Sequence, residues 1–89
     1  MPENFKLNQN YPNPFNPSTT IGFETKSREL ISLKVFDVLG TEVATLVNEY
    51  KPAGYHSVIF TNNYLSSGIY YYQLKAGSFV ETKKMLLLK

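Results

Sequence analysis

Leu65-Ser-Ser-Gly-Ile-Tyr-Tyr-Tyr-Gln-Leu-Lys75 decides how the rest of the chain is read. Ser66, Ser67 and Gly68 are turn chemistry: two small hydroxyls that bond backbone locally, then a residue free to take positive φ. A run of strand formers follows. Tyr70, Tyr72 and Leu74 share one face, and Ile69, Tyr71 and Gln73 share the other.

The order Gly-x-Tyr-x-Tyr predicts a particular piece of architecture. In immunoglobulin-like sandwiches a tyrosine near the start of strand F, two residues before a buried inter-sheet position, ties its hydroxyl back to the preceding loop. Tyr70 is expected to be that corner tyrosine, and Tyr72 to fill the buried position.

Working outward, the C-terminal flank has a turn at Ala76-Gly77 and a last strand from Phe79 to Leu88. On the N-terminal side Tyr55 to Thr61 reads as a strand, with Val58 and Phe60 inward and His56 on their parity. Asn48 to Gly54 reads as a connection closed by Lys51-Pro-Ala-Gly54. Glu42 to Val47 fits both periods: Val43, Leu46 and Val47 are spaced for a helix, while Val43, Thr45 and Val47 alternate. The run is short and β-branched, which predicts a strand. Leu30 to Val38 alternates cleanly through Ile31, Leu33 and Val35, and Gly40 supplies its closing turn. Ser18 to Thr25 carries Ile21 and Phe23 on one face.

Tyr11-Pro-Asn-Pro-Phe-Asn-Pro17 is a rigid non-helical crossing. Each proline removes a backbone donor and pushes its predecessor toward extended conformations. Tyr11 and Phe15 are expected to dock on the core, with Pro14 and Pro17 stiffening the crossing. Before it, Phe5 and Leu7 suggest a short edge strand. Strands joined by short turns at this spacing predict an all-β, Ig-like antiparallel β-sandwich of about seven strands. The 89 residues make one domain, with residues 1–17 as a proline-rich lead-in and 18–89 as the sandwich body.

Composition excludes several functions. There is no cysteine, hence no disulfide scaffold, thiol nucleophile or cysteine-based zinc site. Nine basic and seven acidic groups give a net charge of +2, spread along the chain and too weak for a nucleic-acid footprint. Arg28 is the sole arginine, which further argues against stacking with nucleic acid. The start, Met1-Pro-Glu-Asn-Phe, has no signal-peptide pattern, and Met85 to Leu88 is far too short to span a membrane. A catalytic triad can be assembled on paper from Asp37, His56 and a serine, but nothing in the spacing supports it. Glu24, Glu29, Glu42, Glu49 and Glu81 are isolated rather than clustered as calcium requires. No enzyme activity, metal or cofactor is expected. Tyr71 faces outward and offers a platform for a sugar ring, but an aromatic on a half-buried strand more often covers its neighbours.

Five blocks occur in order: Tyr11-Pro-Asn-Pro-Phe-Asn-Pro-Ser-Thr-Thr-Ile21, Leu33-Lys-Val-Phe-Asp-Val-Leu-Gly40, Pro52-Ala-Gly-Tyr55, Leu65-Ser-Ser-Gly-Ile-Tyr70 and Lys83-Lys-Met-Leu-Leu-Leu-Lys89. Together they resemble the Ig-like, type A C-terminal sorting domain of the type IX (Por) secretion system of Bacteroidetes. A more distant similarity is to the Ig-like domain of flagellar hook-capping proteins.

The resemblance implies a signal domain at the end of a cargo protein that is exported through the periplasm to the cell surface or medium. Its implied partners are the type IX translocon, a sortase-like surface protease that removes the domain, and cargo domains upstream in the same chain. The residues implied for translocon recognition are Pro52, Gly54 and Tyr55; Gly68 and Tyr70; and Lys83, Lys84, Met85, Leu86, Leu87, Leu88 and Lys89. Tyr70, Tyr72, Gly40, Pro14 and Pro17 are read as structural. Met1 is then expected to open a piece of a longer cargo protein, and whether Lys89 is the natural end separates a sorting domain, which must come last, from an accessory module. The alternative is a structural or carbohydrate-binding Ig-like accessory module. An apolar last strand also leaves open a weak homodimer through edge strands.

Overall fold

The computed structural model describes residues 2–89. Seven strands follow in chain order: β1 (Lys6–Leu7), β2 (Ser18–Thr25), β3 (Glu29–Phe36), β4 (Glu42–Lys51), β5 (Gly54–Thr61), β6 (Gly68–Ala76) and β7 (Phe79–Leu87). Two antiparallel sheets result, one ordered β1-β2-β5 and the other β4-β3-β6-β7. They pack as an all-β, Ig-like sandwich with no helix among the described residues. In the constant-type immunoglobulin arrangement the fourth strand joins the sheet of the first two. Here β4 pairs with β3 instead.

The period of two along each strand builds the core. On β6, Tyr70, Tyr72, Leu74 and Ala76 are buried. They stand beside Ile31, Leu33 and Val35 of β3, in the register Ile31↔Ala76, Leu33↔Leu74 and Val35↔Tyr72. Ile21, Phe23 and Phe60 close the core from the other sheet, and Met85 and Leu87 from β7.

The β4 segment is a strand, and it runs further than its alternation suggests. The register with β3 shifts twice, so that Leu46 and Val43 are extra residues opposite no partner. Each bulge breaks the alternation and lets consecutive apolar residues reach inward, which is why this segment also fits a helical spacing. With β4 extending to Lys51, the connection expected over 48–54 shrinks to Pro52-Ala53, where the chain crosses from one sheet to the other.

The proline-rich crossing fastens the two sheets along one side. Tyr11 bridges Thr20 on β2, and Phe15 bridges Leu87 on β7. Phe15 is buried and stacks edge-on against Phe60 at 6.0 Å. Tyr11 does not dock: it is 80% exposed. The buried member at that point is its neighbour Asn10, because the chain turns a polar side chain inward to knot the crossing. Asn10 Nδ2 donates to Thr19 Oγ1 at 3.0 Å, and Thr19 Oγ1 donates to Pro12 O at 2.8 Å.

Tyr72 completes this knot from the opposite sheet. Its hydroxyl donates to Asn8 O at 2.7 Å and accepts from Asn10 N at 2.8 Å. Every buried side-chain N or O among the described residues has a partner, as buried polar groups require.

Tyr72→Phe keeps the ring but strands both backbone groups. The expected loss is about 1–3 kcal/mol by chemical denaturation. Burial pushes the Tyr72 hydroxyl from 10.0 up to about 12, so the folded state holds its proton more tightly than the unfolded chain. Its stabilisation is complete below pH 10.0 and drains away as pH rises through about 12. The slope of stability against pH in that window should flatten in Tyr72→Phe.

Candidate recognition surface

The Leu65–Tyr70 block forms one end of the sandwich. Asn62 Oδ1 accepts from the backbone N–H of Tyr64 and Leu65, at 2.7 and 3.2 Å, an Asx turn. Gly68 then enters β6 at φ 151°, a conformation costly for any residue with a Cβ. Tyr70 turns its ring inward and its hydroxyl donates to Ser66 O at 2.7 Å. This is the corner bond expected from the sequence.

Beside it lies the Asp37 turn. Asp37 Oδ1 accepts from Leu39 N and Thr41 N, both at 2.9 Å, and Gly40 takes φ 83°. The two turns line an open cavity of about 440 Å³.

β7 arrives at the same end, with Gly68 opposite Leu87 and Tyr70 opposite Met85. Residues 83–89 divide by parity. Met85 and Leu87 are core, while Lys84, Leu86 and Leu88 lie on the outer face. Lys83 sits on the inward parity and its ammonium lies 3.7 Å from Glu81. Lys89 is tied down twice, N to Ser67 Oγ at 2.9 Å and Nζ to Asn63 O at 2.7 Å.

On the outer face Leu86 is the register partner of Ile69, and Lys84 that of Tyr71, which in turn neighbours Phe36 of β3. Ile69, Tyr71, Lys84, Leu86 and Leu88 thus make one apolar surface edged by basic charge. Tyr71 is 37% exposed. It shares that surface with its register neighbours Lys84 and Phe36.

The lead-in pairs with the outward edge of β7. Gln9 Nε2 donates to Lys84 O, Leu86 N donates to Asn13 Oδ1, Phe15 N donates to Leu86 O and Leu88 N donates to Phe15 O, all within 3.0 Å. Pro14 is exposed and Pro17 half-buried on either side of Phe15. Gln9 was not legible in the sequence, and Asn13, whose side chain suits an Asx turn, instead accepts from Leu86 N. Their only signal is that side-chain amides can mimic backbone where prolines have removed donors.

Pro52, Gly54 and Tyr55 occupy the opposite end. β5 separates them from the Gly68 end by its eight residues, roughly 25 Å at strand rise. Thr25 Oγ1 donates to Pro52 O at 2.7 Å, and His56 Nε2 lies 2.9 Å from the same oxygen. A carbonyl only accepts, so Nε2 carries the proton. The imidazole also stacks on Phe23 at 5.2 Å. His56 therefore braces the turn, and Asp37 lies at the far end of the sandwich. Among the described residues no three His, Cys, Asp or Glu side chains are grouped to hold a metal. The structure thus gathers Gly68, Tyr70 and residues 84–89 and leaves Pro52, Gly54 and Tyr55 apart.

A family model described as the secretion system C-terminal sorting domain matches residues 9–88. No curated protein sequence matches the chain.

Tyr70→Phe removes the corner bond while keeping the buried ring. It should lower unfolding free energy by about 0.5–1.5 kcal/mol, with unchanged far-ultraviolet circular dichroism.

Proposed function

Because the chain belongs to the secretion system C-terminal sorting domain family, a type IX sorting signal, we propose that it acts non-enzymatically, carrying a larger cargo protein across the outer membrane. The reading extends to a route through the periplasm, removal by a sortase-like protease at the surface, and release or lipopolysaccharide anchoring of the cargo. The translocon is the partner, and residues 83–89 with Gly68 and Tyr70 form its contact region. Pro52, Gly54 and Tyr55 make a second contact at the far end.

The observation that carries this reading is the parity of β7. Met85 and Leu87 are core, while Lys84, Leu86 and Leu88 are presented outward on the same strand. A receptor that reads the outward side chains meets them only when the sandwich is folded, since extended spacing alone does not bring Ile69 and Tyr71 beside them.

That parity also governs the test. Deleting the last five residues removes Met85 and Leu87 from the core, so lost export would report unfolding as readily as lost recognition. Outward substitutions separate the two. Residues 1–89 fused behind a signal peptide and a fluorescent reporter should reach the surface or medium of a type IX-competent host and not of a translocon-deficient one. Lys84→Glu with Leu86→Asp and Leu88→Asp should abolish most of that delivery while the purified domain keeps its melting transition. Reporter held in the periplasm of both strains would overturn the sorting role. Undiminished delivery by the triple variant would remove β7's outer face from recognition.

A further inference from the structure

Three of the four sheet edges are protected. β1 is only two residues long. β7 is bonded to the lead-in from Lys84 to Leu88. β4 is bent by two bulges and carries Glu42, Glu49 and Lys51. Short length, covering, bulges and charge are the usual defences of an edge strand.

β5 has none of them. Gly54-Tyr-His-Ser-Val-Ile-Phe-Thr61 contains no Lys, Arg, Asp, Glu or Pro. It pairs with β2 over eight consecutive residues without a shift. Tyr55 and Ile59 are 72% and 69% exposed.

The free backbone groups on this edge are determined by β2. Asn8 N donates to Gly22 O, and Tyr11 exchanges two bonds with Thr20. Gly22 and Thr20 therefore point away from β5, while Ile21 and Phe23 point toward it. Their partners Val58 and His56 use their backbone groups on β2. Tyr55, Ser57, Ile59 and Thr61 must direct theirs outward, an N–H and a C=O each, and no described segment receives them.

We propose that this edge is a homodimer interface: β5 pairs antiparallel with β5 of a second copy across a two-fold axis at Ser57. This register sets Ser57 opposite Ser57 of the second copy and Tyr55 opposite Ile59, twice by symmetry. Tyr55, Ser57 and Ile59 then fall on hydrogen-bonded pairs, which satisfies their free groups together, while Thr61 lies beyond the paired stretch, opposite Ala53 of the second copy. The outer face gains two aromatic against β-branched pairs, which are favourable across strands.

The occupant is a second copy because this one sequence supplies both halves. The strand is self-complementary in hydrogen bonding and in side chains, it carries no charge to repel its image, and its two-fold contact is closed. The two three-stranded sheets become one of six. β7 lies across the sandwich from β5, so its outer face stays free, whereas Tyr55 is shared, so the dimer and the second contact proposed at Pro52, Gly54 and Tyr55 exclude one another. The pairing does not depend on the sorting role.

The cysteine-free chain gives a direct test. Hydrogen-bonded antiparallel partners have Cα atoms about 5.5 Å apart, inside the range of about 4.4–6.8 Å that a disulfide spans. Ser57→Cys should form a covalent dimer under mild oxidation, whereas Ser78→Cys in the exposed β6–β7 turn should not. Tyr55→Cys mixed with Ile59→Cys should cross-link more than either alone. The unmodified domain should show a concentration-dependent monomer–dimer equilibrium by sedimentation. Ser57→Pro removes an N–H that β2 does not use, and Ile59→Lys adds an edge charge; both should shift that equilibrium to monomer with the fold kept. A monomer throughout a series reaching millimolar, or a dimer that Ser57→Cys does not trap and Ile59→Lys does not weaken, would overturn the proposal.

Discussion

The Tyr72 hydroxyl holds the architecture at the point where the two sheets and the lead-in meet. A phenol in a dry core is tolerable only if both its hydrogen and its lone pair find partners. Asn8 O and Asn10 N supply them, and this fixes the path of the chain just before the prolines. From there Asn13 and Phe15 lie against β7 and bond its free edge. The hydroxyl's two bonds are the buried anchor of the crossing in the β6 sheet, beside its edge bonds to β7. The cover on the β7 edge thus continues from a hydrogen-bonded knot buried away from it.

Core and outer face are interleaved on β7 at single-residue spacing. A strand exposes alternate side chains, so Met85 and Leu87 serve the core while Lys84, Leu86 and Leu88 face out. This ties the make-up of the outer face to whether the domain has folded. A disordered tail would carry the same letters without the neighbouring Ile69 and Tyr71. The folded domain offers them as one surface.

Period-two segments with a turn residue at the end were legible from sequence. The inward face of β6, the alternation of β3 and the Tyr70 corner are local consequences of residue order, and the structure reproduces them. β4 was harder because its two bulges insert Leu46 and Val43, and an inserted residue scrambles parity without leaving a compositional mark. The lead-in was half legible. Its rigidity follows from proline, but whether Tyr11 or Asn10 turns inward depends on Thr19 and Tyr72, which are distant in sequence. The candidate site was legible as blocks and not as a place. Nothing local reveals that Gly68, Tyr70 and residues 84–89 converge while Pro52, Gly54 and Tyr55 lie a strand-length away.

The handling of edges explains why the apolar last strand is not the exposed hazard it resembles. An unpaired strand is a template for another chain. The strongest such template here, Met85-Leu-Leu-Leu88, is paired on one side by β6 and on the other by the proline segment. Prolines suit that task because a crossing poor in donors and fixed in φ offers little edge of its own for a further strand. The cover therefore ends the sheet rather than moving its open edge outward by one place. β4 reaches the same end with bulges and charge. What remains open is β5, where residues of high strand propensity present an uncharged outward face. An edge left bare while its neighbours are guarded by different devices is the natural place for a specific contact, because pairing there competes with no other edge of the same domain.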